Sequence, residues 1–122
     1  MPESRVVTFT TDFGLRDPFV GIMHGVVLKL HPPTTIVDIC HAVASYDIAE
    51  GAWTIAQAYH FFPPGTVHVV VVDPGVGSTR RPIIAESGGY VFVAPDNGVL
   101  SLVESREERF AVRHVTAERY FL

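Results

Sequence analysis

The β-branched run "RVVTFTT" at 5–11 predicts a strand that stops at Asp12-Phe13-Gly14. Beyond it the apolar period lengthens. Phe19, Ile22, Met23, Val26, Val27 and Leu30 recur at three- and four-residue spacing, which predicts a helix with Asp17 as N-cap, Pro18 in the first turn and Pro32-Pro33 as the stop. "TTIVDIC" at 34–40 predicts a second strand, and "HAVASYD" is a polar loop containing His41, Tyr46 and Asp47. Asp47 and Glu50 resemble a capping box and predict a second helix to about Phe61, before Pro63-Pro64-Gly65 breaks it. "TVHVVVVD" predicts a third strand whose consecutive valines call for cover on both faces, as at the centre of a parallel sheet. "PIIAES", Gly88-Gly89 and "YVFVAPD" predict a hairpin. "NGVLSLVESREE" predicts a short helix with Val99, Leu100, Leu102 and Val103 towards one side, and "RFAVRHV" a last strand.

Strands alternating with helices predict right-handed crossovers and an α/β fold. Its sheet should be open, largely parallel and Rossmann-like, with helices on both faces. The chain has 122 residues, one domain's length, and 48% of them are hydrophobic, enough for a substantial core. No internal repeat, linker or low-complexity tract interrupts it. A formal charge of −4 without a run of Lys or Arg argues against a nucleic-acid partner. Cys40 is the only cysteine, so neither an intrachain disulfide nor a thiolate metal cluster is expected, and the chain reads as cytoplasmic. The N-terminus lacks the h-region of a signal peptide, and no apolar run reaches the ~20 residues of a membrane helix, so no membrane partner is expected. The final "ERYFL" is apolar where a solvated terminus is usually polar, which predicts an interrupted sequence.

Ligands of open α/β sheets bind beyond the carboxyl ends of the strands, and three such ends carry acids: Asp12, Asp38 and Asp73. Asp17 and Asp47 stand at helix starts, where capping alone accounts for an aspartate. Asp38 can simply hydrogen-bond a loop. Asp12 and Asp73 each adjoin a glycine-containing turn that gives a ligand close access to the backbone. "DPGVGSTRR" is not a phosphate-binding Walker loop, since it lacks Gly-Lys-Ser/Thr, and Arg80 stands where a dinucleotide fingerprint needs its third glycine. Arg80 can fold back onto Asp73 and hold it ionised, whereas Arg81 can equally be solvated. His24, His31, His41, His60, His68 and His114 show no familiar zinc spacing, so no dedicated metal site is expected. His24 and His68 read as structural. His41, in the loop with Tyr46, is the best placed for a ligand, and Tyr46 can either stack on a planar base or pack over a helix start.

Four segments, "TTDFGLRDPFVG", "DICHAVASYDIAEGA", "FFPPGTVHVVVVDPGVGSTRRPI" and "VAPDNGVLS", resemble the S-adenosyl-L-methionine (SAM) hydroxide adenosyltransferases. These adenosine-forming SAM hydrolases are related to the fluorinase and chlorinase. The likeness runs through nearly the whole chain. It implies that residues 1–122 are the family's N-terminal α/β SAM-binding domain, with the C-terminal β-rich domain absent, and that SAM lies between subunits of a homotrimer. The implied activity is hydrolysis of SAM to adenosine and methionine by attack of water at C5′, with SAM as substrate and no cofactor. In the hydrolases an Asp-Arg-His set activates water. Asp73 and Arg80 match the first two, the histidine falls beyond Leu122, and His114 does not match it. Asp12 matches the acid that holds the ribose hydroxyls, Asp17 an acid near the methionine amino group, and Tyr46 a Trp beside the adenosyl group in the halogenases. Asn97 is an active-site neighbour. Where the fluorinase has a Tyr, this chain has Asp73, as the hydroxide-using branch does. Two further readings stay open: a non-catalytic SAM- or adenosine-binding module, and a metal-dependent phosphoester hydrolase using Asp12, Asp38 and Asp73 around Mg²⁺.

Overall fold

Six strands make one sheet in a computed structural model that describes residues 5–72 and 82–115. In chain order they are β1 (Arg5–Thr11), β2 (Thr34–Cys40), β3 (Val67–Val71), β4 (Pro82–Ser87), β5 (Tyr90–Pro95) and β6 (Ala111–His114). Three helices join them: α1 (Phe19–Leu30), α2 (Ile48–Ala58, continued by a 3-10 turn at Tyr59–Phe61) and α3 (Ser101–Arg106). The sheet order is β2-β1-β3-β5-β4-β6, so the chain steps outward from β1 to β2 and then returns across β1 to β3. β2, β1, β3 and β5 are mutually parallel, while β4 runs antiparallel to both β5 and β6. This is the expected open, largely parallel sheet, with one reversed strand contributed by the hairpin. Gly88 and Gly89, at φ +61° and +84°, form the two-residue turn that reverses it.

The two faces of the sheet are covered unequally. Even-numbered residues of β3, His68 and Val70, and Val72 just after it, are buried with Ile55, Ala56, Phe92, Val99 and Val103 in the core under α2 and α3. Gly51 permits this close approach, because a Cβ there would meet Val72 Cγ2 at 3.0 Å and Val99 Cγ2 at 3.2 Å. α3 is tied to α2 by Arg106, whose Nη1 donates to the Ala56 carbonyl at 2.6 Å. The odd-numbered valines of β3 are only half-buried. On this second face α1 buries Val20 alone, and His24 stacks on Phe9 of β1 with ring centroids 5.5 Å apart. Phe19, Ile22 and Leu30 are exposed, so the apolar period of α1 is wider than the face it presents to the sheet. Among the described residues no helix is long and apolar enough to cross a membrane.

One histidine lies wholly within the core. His68 has no solvent exposure and lies among Tyr59, Phe62, Tyr90 and Phe92. Its Nδ1 is 2.6 Å from Thr8 Oγ1 on β1, and its Nε2 is 3.2 Å from the Tyr59 carbonyl oxygen. The carbonyl can only accept, so Nε2 carries the proton and Thr8 donates to Nδ1. Burial pushes the His68 pKa down to about 4, the Tyr59 carbonyl opposing that shift. Between 6.5 and 4 the unfolded chain binds a proton that the folded chain does not. Stability therefore falls as the pH drops through this window, by about 3 kcal/mol when complete. Thermal melts from pH 7 to pH 4 are expected to show this loss, and His68→Gln, which does not titrate, is expected to flatten it. An equally steep profile in the variant would contradict the assignment.

Candidate functional site

In the order β2-β1-β3 the connections run to opposite sides of β1, and the crevice between β1 and β3, beyond their carboxyl ends, is where such sheets bind ligands. β1 enters it through Thr11, Asp12, Phe13 and Gly14. Thr11 is buried, and its Oγ1 accepts the Phe13 N–H at 3.2 Å and lies 2.6 Å from Nδ1 of His41. The His41 carbonyl accepts the Gly14 N–H at 2.8 Å. The turn after β1 is thus bonded to the segment after β2.

Asp12 extends the same tie. Its Oδ2 accepts the backbone N–H of Tyr46 at 2.8 Å. Tyr46 has φ +64°, the only left-handed non-glycine residue among those described. The residue is 63% exposed. The next residue, Asp47, caps α2 by accepting the Glu50 N–H at 2.9 Å. Glu50 does not close the expected capping box. Its carboxylate reaches the Ala44 N–H at 3.1 Å, drawing the loop in before the helix begins.

The remaining residues singled out in the sequence are placed as follows. Asp17, exposed, accepts the Phe19 N–H at 3.0 Å and so satisfies one orphan donor of α1, as its capping role requires, although Pro18 occupies the N-cap position itself. Asn97 donates from Nδ2 to the Val72 carbonyl at 2.8 Å and accepts the Val99 N–H on Oδ1 at 3.1 Å. It therefore fixes the end of β3 and the entry to α3 together. Asp73, Arg80 and Arg81 lie outside the described residues. The structure brings Asp12 and Tyr46 together and sets Asn97 at the end of the neighbouring strand. His114 pairs instead with exposed Asp96 at 2.7 Å.

Three residues meet that sequence spacing did not connect. Asp38 Oδ1 lies 2.9 Å from Nε2 of His24 on α1 and 2.8 Å from Nε2 of His41. Burial raises the Asp38 pKa, but the two imidazoles set against it outweigh that effect and hold the carboxyl below its usual range. The donor atoms of the trio lie within 4.8 Å of one another, a separation a metal ion can bridge. An open cavity of about 420 Å³ adjoins them, lined by Gly14, Leu15, Asp38, Cys40, His41 and Ala42. The sequence offered one hint, the Asp-x-x-His step of 38 to 41. His24 could not be joined to it without knowing that α1 lies over β2.

Residues 7–120 match a family described as the SAM hydroxide adenosyltransferase N-terminal domain. The chain is 47% identical over 100 residues to an (R)-S-adenosyl-L-methionine hydrolase of Salinispora tropica, an alignment covering 82% of this chain and 38% of that protein. It is 31% identical over 121 residues to a fluorinase of Nocardia brasiliensis, covering 80% of this chain and 40% of the fluorinase. An uncharacterized conserved protein from Thermotoga maritima superposes with a TM-score of 0.88 at 36% identity, over 94% of this chain and 45% of that one. The chain spans less than half the length of each of these relatives.

The left-handed backbone at Tyr46 yields a prediction. A side chain costs roughly 1–2 kcal/mol in this conformation, which glycine avoids at the expense of a more flexible unfolded chain. Tyr46→Gly is expected to leave the melting temperature unchanged or raise it. A clear fall would show that the exposed ring makes a stabilising contact.

Proposed function

The chain belongs to the SAM hydroxide adenosyltransferase family through its N-terminal domain, and from that membership we propose that the protein hydrolyses SAM to adenosine and L-methionine. Its greater identity to a named SAM hydrolase than to a fluorinase favours water over halide as the nucleophile. The structural observation that carries the reading is the carboxyl end of β1, where half-buried Asp12 is locked to Tyr46 beside the crevice between β1 and β3.

The chemistry asks little beyond placement. The sulfonium makes methionine a good leaving group, so the site need only hold water in line with C5′ and exclude bulk solvent. In this reading Asp73 accepts a hydrogen bond from that water, and Arg80 orients the carboxylate and keeps it ionised. Those two roles rest on the likeness of "VVVVDPGVGSTRRPI" to the family. Asp12 accepts from the ribose hydroxyls; an ionised carboxylate has about four lone-pair positions, and the Tyr46 N–H uses one. Tyr46 lies beside the adenosyl group, and Asp17 near the methionine amino group. Asn97 supports Asp73 by anchoring the Val72 carbonyl immediately before it. No cofactor takes part, SAM being the substrate, and a homotrimer belongs to the same proposal.

Adenosine and methionine released from SAM, followed by chromatography, test the reading. Asp73→Asn is expected to lower turnover by about 100-fold or more while leaving SAM affinity within a few-fold of wild type. Unchanged turnover would remove Asp73 from the mechanism. A 5′-halo product in place of adenosine would overturn hydrolysis itself. Asp12→Ala is expected to weaken SAM binding by about 10- to 100-fold, the loss of a charged hydrogen-bonding group. Titration calorimetry that finds wild-type affinity would remove it from the ribose site.

A further inference from the structure

We propose that His24, Asp38 and His41 form a binding site for a divalent transition-metal ion of the Zn²⁺ class, which fastens α1 to the carboxyl end of β2. The site shares His41 with the tie between β1 and the loop after β2, but it does not depend on the SAM reading. Its ligands come from three elements, α1, β2 and the loop after β2, so no short sequence motif could announce it. Both imidazoles present Nε2 to a single carboxylate oxygen, at 2.9 and 2.8 Å.

A second, independent observation concerns His41. Its side chain is only 4% exposed, and its Nε2 has no hydrogen bond of acceptable geometry despite the short distance to Asp38. Buried polar nitrogens are rarely left so. This nitrogen lies beside the oxygen without being hydrogen-bonded to it, and it is one of three donor atoms within 4.8 Å of one another. On the other side of the ring, Nδ1 is held by Thr11 Oγ1 at 2.6 Å. That is the outer partner a metal-binding histidine needs. With a metal at Nε2, His41 carries its proton on Nδ1 and donates it to Thr11.

The donor set selects the ion. Two imidazoles and a carboxylate suit Zn²⁺, Co²⁺ or Ni²⁺, whereas Mg²⁺ and Ca²⁺ prefer oxygen ligands throughout. Tetrahedral Zn²⁺ with bonds of about 2.0–2.2 Å keeps its ligand atoms roughly 3.3–3.5 Å apart. The two separations between Asp38 and the histidines therefore open by about half an ångström to admit it. His24 and Asp38 are partly exposed, with side-chain exposures of 29% and 35%, and have room to move. Asp38 and His41 themselves line the open cavity with Gly14, Leu15, Cys40 and Ala42, which leaves space for water as a fourth ligand. α1 has reason to need such a fastening, since it buries only Val20 against the sheet.

The test is equilibrium dialysis of the metal-free protein against Zn²⁺, with bound metal counted by mass spectrometry and thermal melts recorded alongside. One Zn²⁺ per chain, a raised melting temperature and the visible absorption bands of tetrahedral Co²⁺ after substitution are expected, with no stoichiometric Mg²⁺. His24→Gln and Asp38→Asn are expected to weaken Zn²⁺ binding by at least about 10- to 100-fold while the metal-free proteins retain the wild-type circular dichroism. Thr11→Val, acting through His41, is expected to weaken it by about 10-fold. Failure of the wild type to bind Zn²⁺ stoichiometrically would overturn the site. Binding that survives both His24→Gln and Asp38→Asn would also overturn it, by assigning the ion to other histidines. Neither result bears on adenosine release, so this inference and the proposed activity can fail separately.

Discussion

The tie between the end of β1 and the loop after β2 is the constraint on which the candidate site depends. Thr11, Asp12 and Gly14 are held from that loop by the His41 ring, the Tyr46 N–H and the His41 carbonyl in turn. The Thr11–His41 pair is buried, and a buried donor or acceptor left unpaired costs about 1–3 kcal/mol, so the two segments do not part there without loss. Two loops that would otherwise move independently become one rigid rim beside the crevice. The left-handed backbone of Tyr46 persists because the Asp12 carboxylate and the cap at Asp47 define it from both sides.

Beneath that rim the two faces of the sheet differ in kind. The face under α2 and α3 is closely packed, from Gly51 against Val72 to Arg106 on the Ala56 carbonyl, and it supports the end of β3. Asn97 extends this support by holding the Val72 carbonyl. Tyr59 links the same face to the chain beyond α3 through a hydrogen bond from its hydroxyl to Glu107 at 2.5 Å, and burial with that neighbouring acid pushes its pKa up to about 12. The face under α1 is half-covered, and its polar trio lies where the packing is thinnest. Close packing gives the site a floor that does not yield, while the looser face leaves side chains such as His24 room to adjust.

Histidine illustrates how environment divides one residue type between roles. His68 sits among aromatic rings with a hydroxyl and a carbonyl as partners, and burial keeps it neutral. His41 is nearly as buried, yet it faces a carboxylate. His24 faces the same carboxylate from a half-exposed helix. The reading of His68 as structural agrees with its position. The similar reading of His24 overlooked Asp38, since nothing in the helical period of α1 reveals which residue of β2 it meets.

The sequence by itself determined the secondary elements in order, the hairpin at Gly88-Gly89, the parallel central strand and the family. These follow from local period, turn chemistry and motifs that are continuous in the chain. It also pointed to Asp12 and Tyr46, because both stand at the ends of elements where ligands are met. Only the tertiary structure decided that Tyr46 adopts a left-handed backbone bonded to Asp12, that Asn97 is committed to the end of β3, and that His24, Asp38 and His41 converge. The physical reason is common to all three. Each depends on contacts between residues 14 to 34 positions apart, set by how helices cross the sheet, and side-chain spacing along one element carries no record of that crossing.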